Sequence, residues 1–149
     1  MDKRTFSFES LDAYRVARRL VCEVYELQKR FPVEERYALC DQIRRAVISV
    51  TSNIAEGSGR KSYKEKIHFI EISFGSLTET FSQLINAQDL GYLSENDVEK
   101  IRPLFNHVAA LLSNLKKRYE RESSKPYPLN LLTLSPFNPL NISPSRPRS

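Results

Sequence analysis

Apolar residues recur along four segments of this sequence at alternating intervals of three and four positions. The clearest series has seven members: Tyr63, Ile67, Ile70, Phe74, Leu77, Phe81 and Leu84. Similar series occupy residues 13–31, 43–54 and 98–119. Such spacing puts the apolar side chains on one face of an α-helix, and no segment alternates strongly enough to favour a strand. A sustained repeat near 3.5 residues also favours helices that pack almost parallel.

Signals for helix ends separate the segments by short connections. Pro32 ends the first helix, predicted for residues 9–31, because the residue before a proline is pushed out of helical geometry. Gly57 and Gly59 supply the permissive positions expected after the second helix, residues 34–56. Ser62 to Glu65 has the form of a capping box, so the third helix begins there and ends near Gly91.

The fourth helix is predicted from Ser94, where a similar N-terminal signal occurs, to Arg121. Pro103 lies inside it and should kink the helix or separate its first turns, since it removes one backbone hydrogen bond. Four amphipathic helices joined by short turns predict an all-α protein, an antiparallel up-down-up-down four-helix bundle over residues 9–122. Residues 1–8 are predicted to form a short N-terminal arm.

The segment 123–149 differs from the rest in composition. It holds six of the eight prolines and no acidic residue. Its large apolar residues make it more apolar than a simple linker: Leu129, Leu131, Leu132, Leu134, Phe137, Leu140 and Ile142. We expect an extended, mostly disordered Pro-rich tail, which either docks on a partner or has no function of its own.

The net charge of +5 is a weak argument for a nucleic-acid partner. Three of these charges belong to the tail, which leaves 20 basic and 18 acidic residues before it. Cys22 and Cys40 lie in helical segments, where they are expected to be small buried side chains and not a disulfide framework. With no apolar run of about 18 residues and no secretory signal at the N-terminus, we expect a cytoplasmic protein that does not contact membranes.

Antiparallel topology would gather the basic residues at one end of the bundle, which we call the basic pole. The first helix begins there, the second and third meet there, and the fourth ends there. The predicted members are Arg15, Arg60, Lys61, Lys64, Lys116, Lys117 and Arg121, and Arg18 and Arg19 on the first helix complete the candidate nucleic-acid-binding set. Such a cluster suits a phosphate backbone. The alternative is a solvated basic end whose lysines complement a helix dipole.

A second candidate surface lies on the second helix. Side chains that are short in the middle and charged at the ends follow one line: Gln42, Arg45, Ser49, Ser52, Asn53 and Glu56. Short side chains allow another helix to approach closely, so this line predicts a contact within the fold or an interface between copies of the chain. A solvent-exposed face is the alternative. For Arg45 and Glu56 we favour an interface ion-pair network over phosphate binding.

Motifs for catalysis are weak. Glu65 and His68 have the Glu-x-x-His form of di-metal bundles, but Leu104 stands where His107 would need a glutamate, so the second motif is absent. Residues 57–62 lack the glycine pattern of a phosphate loop and follow a helix instead of a strand. Phe69, Phe74 and Phe81 lie at core spacing and are predicted to be core residues. We therefore expect no catalytic site, metal or cofactor.

The chain resembles the four-helix-bundle family encoded in the intervening sequences of bacterial 23S ribosomal RNA. That family is similar to accessory variability proteins, which assist the reverse transcriptases of diversity-generating retroelements. The resemblance covers residues 8–121 and excludes the Pro-rich tail. It rests on separate blocks in the same order: Phe31, Pro32 and Glu35; Leu39; residues 42–46; Ser49; residues 53–57; Arg60; Phe69; residues 75–77; and residues 90–92.

The resemblance implies a cytoplasmic homo-oligomer, with members forming pentameric barrels of bundles, and no known catalytic activity. For the retroelement relatives it implies binding to nucleic acid and to a reverse transcriptase. Together with the basic pole, this predicts a non-enzymatic oligomeric protein that binds RNA or DNA, or a nucleic-acid enzyme. The alternative is a protein-only assembly module without nucleic-acid binding, and a di-metal enzyme is a remote third.

Overall fold

The computed structural model of the protein describes residues 5–126, and these form four α-helices without any β-strand. The helices are α1 (Asp12–Gln28), α2 (Leu39–Ser58), α3 (Tyr63–Asp89) and α4 (Glu95–Ser123). Short 3-10 helices precede α1 (Ser7–Ser10) and α2 (Val33–Glu35). Each α-helix packs against the next one in the chain, and α1 also packs against α4. The predicted all-α four-helix bundle is therefore confirmed.

The core is the seam predicted from the apolar spacing, with one displacement on α3. Fully buried side chains come from all four helices: Leu20, Val24, Ile43, Val47, Ile54, Ile70, Leu84, Val98, Val108 and Leu112. Phe74, however, is 41% exposed, and Phe69 and Phe81 are only partly buried. The prediction that these three rings are core residues was wrong for Phe74, because α3 instead turns its small polar residues Ser73 and Thr80 inward.

Helix starts agree with the sequence where a local capping signal exists. The Ser62 hydroxyl accepts a hydrogen bond from the Glu65 amide at 3.2 Å, and Ser94 caps α4 through the Asp97 amide at 3.0 Å. The second helix begins at Leu39, five residues later than predicted. The Glu35 carboxylate explains the delay, since it accepts a hydrogen bond from the Leu39 amide at 3.1 Å and so occupies the helix entrance.

Glycine has two different roles at the helix ends. Gly57 lies inside α2 and is buried, and a Cβ atom built on it would be 2.8 Å from the Cβ of Phe69 in α3. Its role is thus close helix approach and not a permissive backbone angle, and Gly59 after it is also right-handed, at φ −86°. Among residues 5–126, only Gly91 has a positive φ, +83°, in the turn after α3.

Three further predictions concern Pro103, the two cysteines and the N-terminal arm. α4 is continuous across Pro103, so no turns are separated; Pro103 lies on the exposed side, where losing one backbone bond leaves core packing intact. Cys40 is buried as predicted, whereas Cys22 is exposed because it lies on the outer face of α1. In the predicted N-terminal arm, the Phe8 ring packs 4.7 Å from that of Tyr14.

The two ends of the bundle differ in what they join. At the end opposite the basic pole, the α1–α2 and α3–α4 connections meet, and the Tyr92 hydroxyl donates to Glu35 at 2.9 Å. Within the part of the chain that the structure describes, no helix has both the length and the apolar character needed to cross a membrane. The Pro-rich tail prediction falls mainly on residues 127–149, which lie outside the described residues.

Candidate nucleic-acid interface

The basic pole exists as one surface, because four chain segments meet there. Lys66, in the first turn of α3, donates a hydrogen bond from Nζ to the Ser58 carbonyl oxygen at the end of α2, at 2.6 Å. Its ammonium group also lies 5.6 Å from the centre of the Tyr119 ring of α4. The Ser7 hydroxyl, just before α1, is 3.4 Å from the Ser58 hydroxyl. These contacts hold the segment before α1, the end of α2, the start of α3 and the last turns of α4 together at this end of the bundle.

Three of the seven predicted pole cations have acidic partners. Arg15 pairs with Asp12, and Arg60 pairs with Glu56 one helical turn earlier. Lys116 lies 2.8 Å from Glu71 of α3, and this hydrogen bond lowers the pKa of Glu71 and raises that of Lys116. A nucleic acid approaching these residues would have to compete with carboxylates already in place. They contribute less to a phosphate-binding surface than the sequence alone predicts.

The other four predicted pole cations are exposed and have no acidic side chain within 4.0 Å among residues 5–126. They are Lys61, Lys64, Lys117 and Arg121. Arg118, between Lys117 and Arg121 on α4, has the same properties and extends the group. Lys61 and Lys64 lie at the turn between α2 and α3. The other cations of this group lie on the last turns of α4. Exposed cations without partners are those that can release counterions to a phosphate backbone.

Arg18 and Arg19 lie farther along α1. Both are exposed, and Arg19 lines a cavity of about 410 Å³ between α1 and α4. Glu23 and Glu26 line the same cavity, so Arg19 belongs to a surface of mixed charge toward the opposite end of the bundle. Arg18 is one residue closer to the pole, about 1.7 helical turns from the start of α1.

A polar cavity of about 480 Å³ opens at the pole, and sequence reasoning did not find it. Its lining includes Lys66, Arg118, Tyr119 and Glu122, with serine hydroxyls from the segment before α1 and from the end of α2. Burial lowers the pKa of Lys66 and raises that of Tyr119. The sequence does not distinguish Lys66 from the neighbouring lysines, because its contact residues, Ser58 and Tyr119, belong to two other helices.

The polar line on α2 divides into an inner and an outer part. On the inner side, the Ser49 hydroxyl is 2.9 Å from that of Ser76 in α3, and Asn53 donates to Ser49 at 2.8 Å. Gln42 accepts a hydrogen bond from Gln83 of α3 at 3.5 Å. These three of the six candidate interface residues thus line the contact between α2 and α3 of the same chain.

The outer part consists of Arg45, Ser52 and Glu56, which are exposed. Arg45 pairs with Asp41 at 3.3 Å and Glu56 with Arg60, so Arg45 and Glu56 do not bind each other within the chain. Ile48 lies on the same outer face and is 42% exposed. A face with a large exposed aliphatic side chain beside short polar ones can receive a second copy of the chain, which keeps the interface a prediction.

The Glu65–His68 motif forms no metal site on its own. Both side chains are exposed, and Glu65 is engaged with the Ser62 hydroxyl at 3.0 Å. Over residues 5–126, no cluster of three or more histidine, cysteine or acidic side chains is close enough to hold a metal ion. The absence of catalytic activity stays a prediction.

The chain was also compared with known proteins. Residues 9–114, most of the chain and all of α1, α2 and α3, match the model of a protein family described as 23S rRNA-intervening sequence protein. None of the curated proteins matches the chain. The matched region ends within α4, before the last cations of the pole.

Proposed function

The chain belongs to the family of 23S rRNA-intervening sequence proteins, and we propose that it is a non-enzymatic accessory protein that binds the phosphate backbone of RNA or DNA through its basic pole. One observation carries the proposal: five exposed cations, Lys61, Lys64, Lys117, Arg118 and Arg121, converge on one end of the bundle with no acidic side chain within 4.0 Å among the described residues. Clustered unpaired cations attract a polyanion at long range.

Binding at this surface would be electrostatic and would read little sequence. Phosphate contacts position a protein, whereas base contacts specify a sequence. Tyr119 and Tyr63 are not available for base stacking, because Tyr119 is buried and the Tyr63 ring packs 6.1 Å from it; Phe6, next to Ser7, is the exposed ring on this side, and it stacks on Phe8 at 5.7 Å. Affinity should therefore fall steeply with salt, by a slope of about 0.9 per phosphate contact on a logarithmic scale.

The test is a charge reversal at the pole with a matched control. The pole variant carries Lys61→Glu, Lys64→Glu and Lys117→Glu; it leaves Arg60 intact, because Arg60 pairs with Glu56 and packs over the Phe69 ring. The control variant carries Lys29→Glu, Arg36→Glu and Lys100→Glu, three exposed cations at the opposite end. Both variants change the net charge equally.

Fluorescence anisotropy with labelled single-stranded RNA, double-stranded RNA and duplex DNA should be recorded across a salt titration. We expect the pole variant to bind more weakly and to lose about three units of the salt slope, and the control to stay close to the wild type. Equal weakening of both variants would show that only net charge matters. An unchanged pole variant, or no wild-type binding at low salt, would refute the proposal.

The proposal includes a homo-oligomer assembled through the outer face of α2, with five subunits as the resemblance implies. The exposed Ile48 beside Ser52 supports a contact there. Assembly would repeat the basic pole in every subunit, which increases the number of phosphate contacts per particle. A reverse transcriptase, as in the retroelement relatives, is the protein partner we propose for such an assembly.

A protein-only assembly module is the second candidate. The observation in its favour is that Arg15, Arg60 and Lys116 are already paired with carboxylates, as expected when surface cations serve the stability of the subunit. This function predicts an oligomer whose mass does not change when nucleic acid is added, because it binds none of the three nucleic acids even at low salt.

A further inference from the structure

A continuous groove runs along the outer junction of α3 and α4. It consists of two adjacent cavities, of about 330 Å³ and about 180 Å³, and Phe74 lines both. The cavity nearer the basic pole is also lined by Leu112 and Lys116, and the farther one by Phe81 and Phe105. Of the surfaces described above, the basic pole reaches this groove through Lys116.

The groove has an aromatic floor and a polar edge. The rings of Phe81 and Phe105 pack edge to face with their centres 4.9 Å apart, and the Arg102 guanidinium covers Phe81 at 4.7 Å. Phe74 is 41% exposed, and the amide of Asn106 is exposed in the lining of the farther cavity. Aromatic grooves with a neighbouring hydrogen-bond donor bind proline-rich segments, whose rings pack on aromatic faces and whose carbonyl groups are free to accept.

The chain itself carries such a segment. Residues 127–149 include Pro136-Phe-Asn-Pro139, a Pro-x-x-Pro motif flanked by Leu134 and Leu140. The leucines before it add apolar surface, and no acidic residue interrupts the segment. We propose that residues 131–140 of this chain dock into the α3–α4 groove of the same molecule.

The lengths agree with this placement. Ser123 ends α4 about 10 Å beyond the level of Lys116, and the groove from Lys116 to Arg102 is about 21 Å long at 1.5 Å per helical residue. A proline-rich segment rises about 3.1 Å per residue, so about four residues bring it back to the groove and about seven fill it. Counted from residue 127, the filling residues run from Leu131 to about Phe137, so Pro136 would lie at the Phe81 end and residues 138–140 would extend just past it.

The direction also agrees. The segment follows α4, which ends at the basic pole, and in the proposed docking it would run back antiparallel to α4, so that the nearer cavity would receive the leucines first. The leucines would then cover the exposed ring of Phe74, and Pro136 would lie over Phe81. This docking does not use the five exposed cations that carry the proposed nucleic-acid binding; the groove lining includes the pole residue Lys116, which is paired with Glu71.

The experiment uses the full chain with the photoreactive residue p-benzoylphenylalanine in place of Phe137. After irradiation, cross-linked peptides are identified by mass spectrometry in an equal mixture of isotopically light and heavy protein. We expect cross-links to peptides containing residues 74–81 and 102–109, joining light to light and heavy to heavy. Cross-links of which about half join light to heavy chains, the statistical share for two different molecules in an equal mixture, would assign the groove to the tail of a second copy and would overturn the proposal.

Variants of the groove complete the test. Phe74→Glu and Asn106→Glu each place a carboxylate in the groove, and both should abolish most of the cross-linking. Asn106 is exposed, so that variant tests the groove even if Phe74→Glu lowers stability. Leu90→Glu, at an exposed apolar position in the turn after α3, is the control and should cross-link like the parent. Cross-links to other helices, or yields that neither groove variant changes, would refute the docking.

Discussion

Replacing Gly75 by alanine should stabilise the protein, whereas replacing Gly57 by alanine should destabilise it. Gly75 lies in the middle of α3, and a Cβ atom added there would meet no described atom within 4 Å apart from those of its chain neighbours and of the nearby backbone of its own helix. Alanine is favoured over glycine in a helix interior by about 1 kcal/mol, so Gly75→Ala should stabilise the protein by that amount. Gly57 is also helical, but it is buried where α2 touches α3.

At Gly57 the packing term should outweigh the helix propensity. The added Cβ would lie 2.8 Å from the Cβ of Phe69 and 3.3 Å from the carbonyl oxygen of Lys66, and neither is the end of a flexible side chain. Overpacking a well-packed site costs about 1–3 kcal/mol. The gain in propensity is smaller than at Gly75, because Gly57 is the last residue but one of α2. The expected net effect is a destabilisation of about 1–2 kcal/mol.

Urea unfolding followed by far-ultraviolet circular dichroism, at one fixed protein concentration, measures both variants. With a slope of about 2 kcal/mol per molar urea, the midpoint should rise by about 0.5 M for Gly75→Ala and fall by about 0.5–1 M for Gly57→Ala. If Gly57→Ala stabilised the protein as much as Gly75→Ala, α2 and α3 could not be as close at this point as the structure shows.

Three further variants test other parts of the molecule. The amide of Ser94 and nearby donors lower the pKa of Asp97 from 3.8 to about 2, so its stabilisation, about 2 kcal/mol, should be present above pH 4 and disappear as the pH falls toward 2. Asp97→Asn should remove that part of the pH dependence of unfolding, and an unchanged profile would contradict the assignment. Ser52→Tyr should lower the mass of the proposed oligomer in light scattering without changing the helical content. Ser49→Tyr should instead destabilise the subunit itself, since Ser49 lies in the α2–α3 contact. A Ser52→Tyr oligomer of full mass would place the interface elsewhere. Leu20→Ala, at a fully buried position, should cost about 2–5 kcal/mol in thermal or urea unfolding, and a loss below 1 kcal/mol would show that α1 packs loosely.

Features that depend on neighbours in the sequence could be predicted. The caps at Ser62 and Ser94 are local hydrogen bonds over three residues, and both predicted starts are found in the structure. The start of α2 could not be predicted in the same way. The Glu35 carboxylate accepts a hydrogen bond from the Leu39 amide at the start of α2. The same carboxylate is oriented by the hydroxyl of Tyr92, which is distant in the sequence. Local capping signals therefore predict helix boundaries only where the partners lie within one turn.

The orientation of α3 shows a second limit. Two stripes at helical spacing lie side by side on this helix, one aromatic and one of small polar residues. The sequence favours the aromatic stripe as the core, but Ser73 donates to the Val50 carbonyl oxygen at 2.8 Å, and Thr80 is fully buried. Small hydroxyl side chains allow α2 to approach closely, and Phe74 is left on the surface. Periodicity alone does not show which of two adjacent stripes faces a neighbour.

For the candidate site, the location of the pole was predictable and the availability of its charges was not. Helix order alone brings Lys61 and Lys117 to the same end of the bundle. The pair between Arg60 and Glu56 could have been predicted from their spacing of four residues. The pair between Lys116 and Glu71 could not, because it joins two helices. Which cations are free for a ligand is decided by contacts between helices.

Both ends of the described chain, at residues 5 and 126, leave the bundle on the side where the cations gather. A surface linker attached at residue 5 would therefore stand close to the face that a polyanion must reach. The α1–α2 connection, with Val33 74% exposed, offers an attachment point on the far side. Protein immobilised through that connection would present its cationic end to solution.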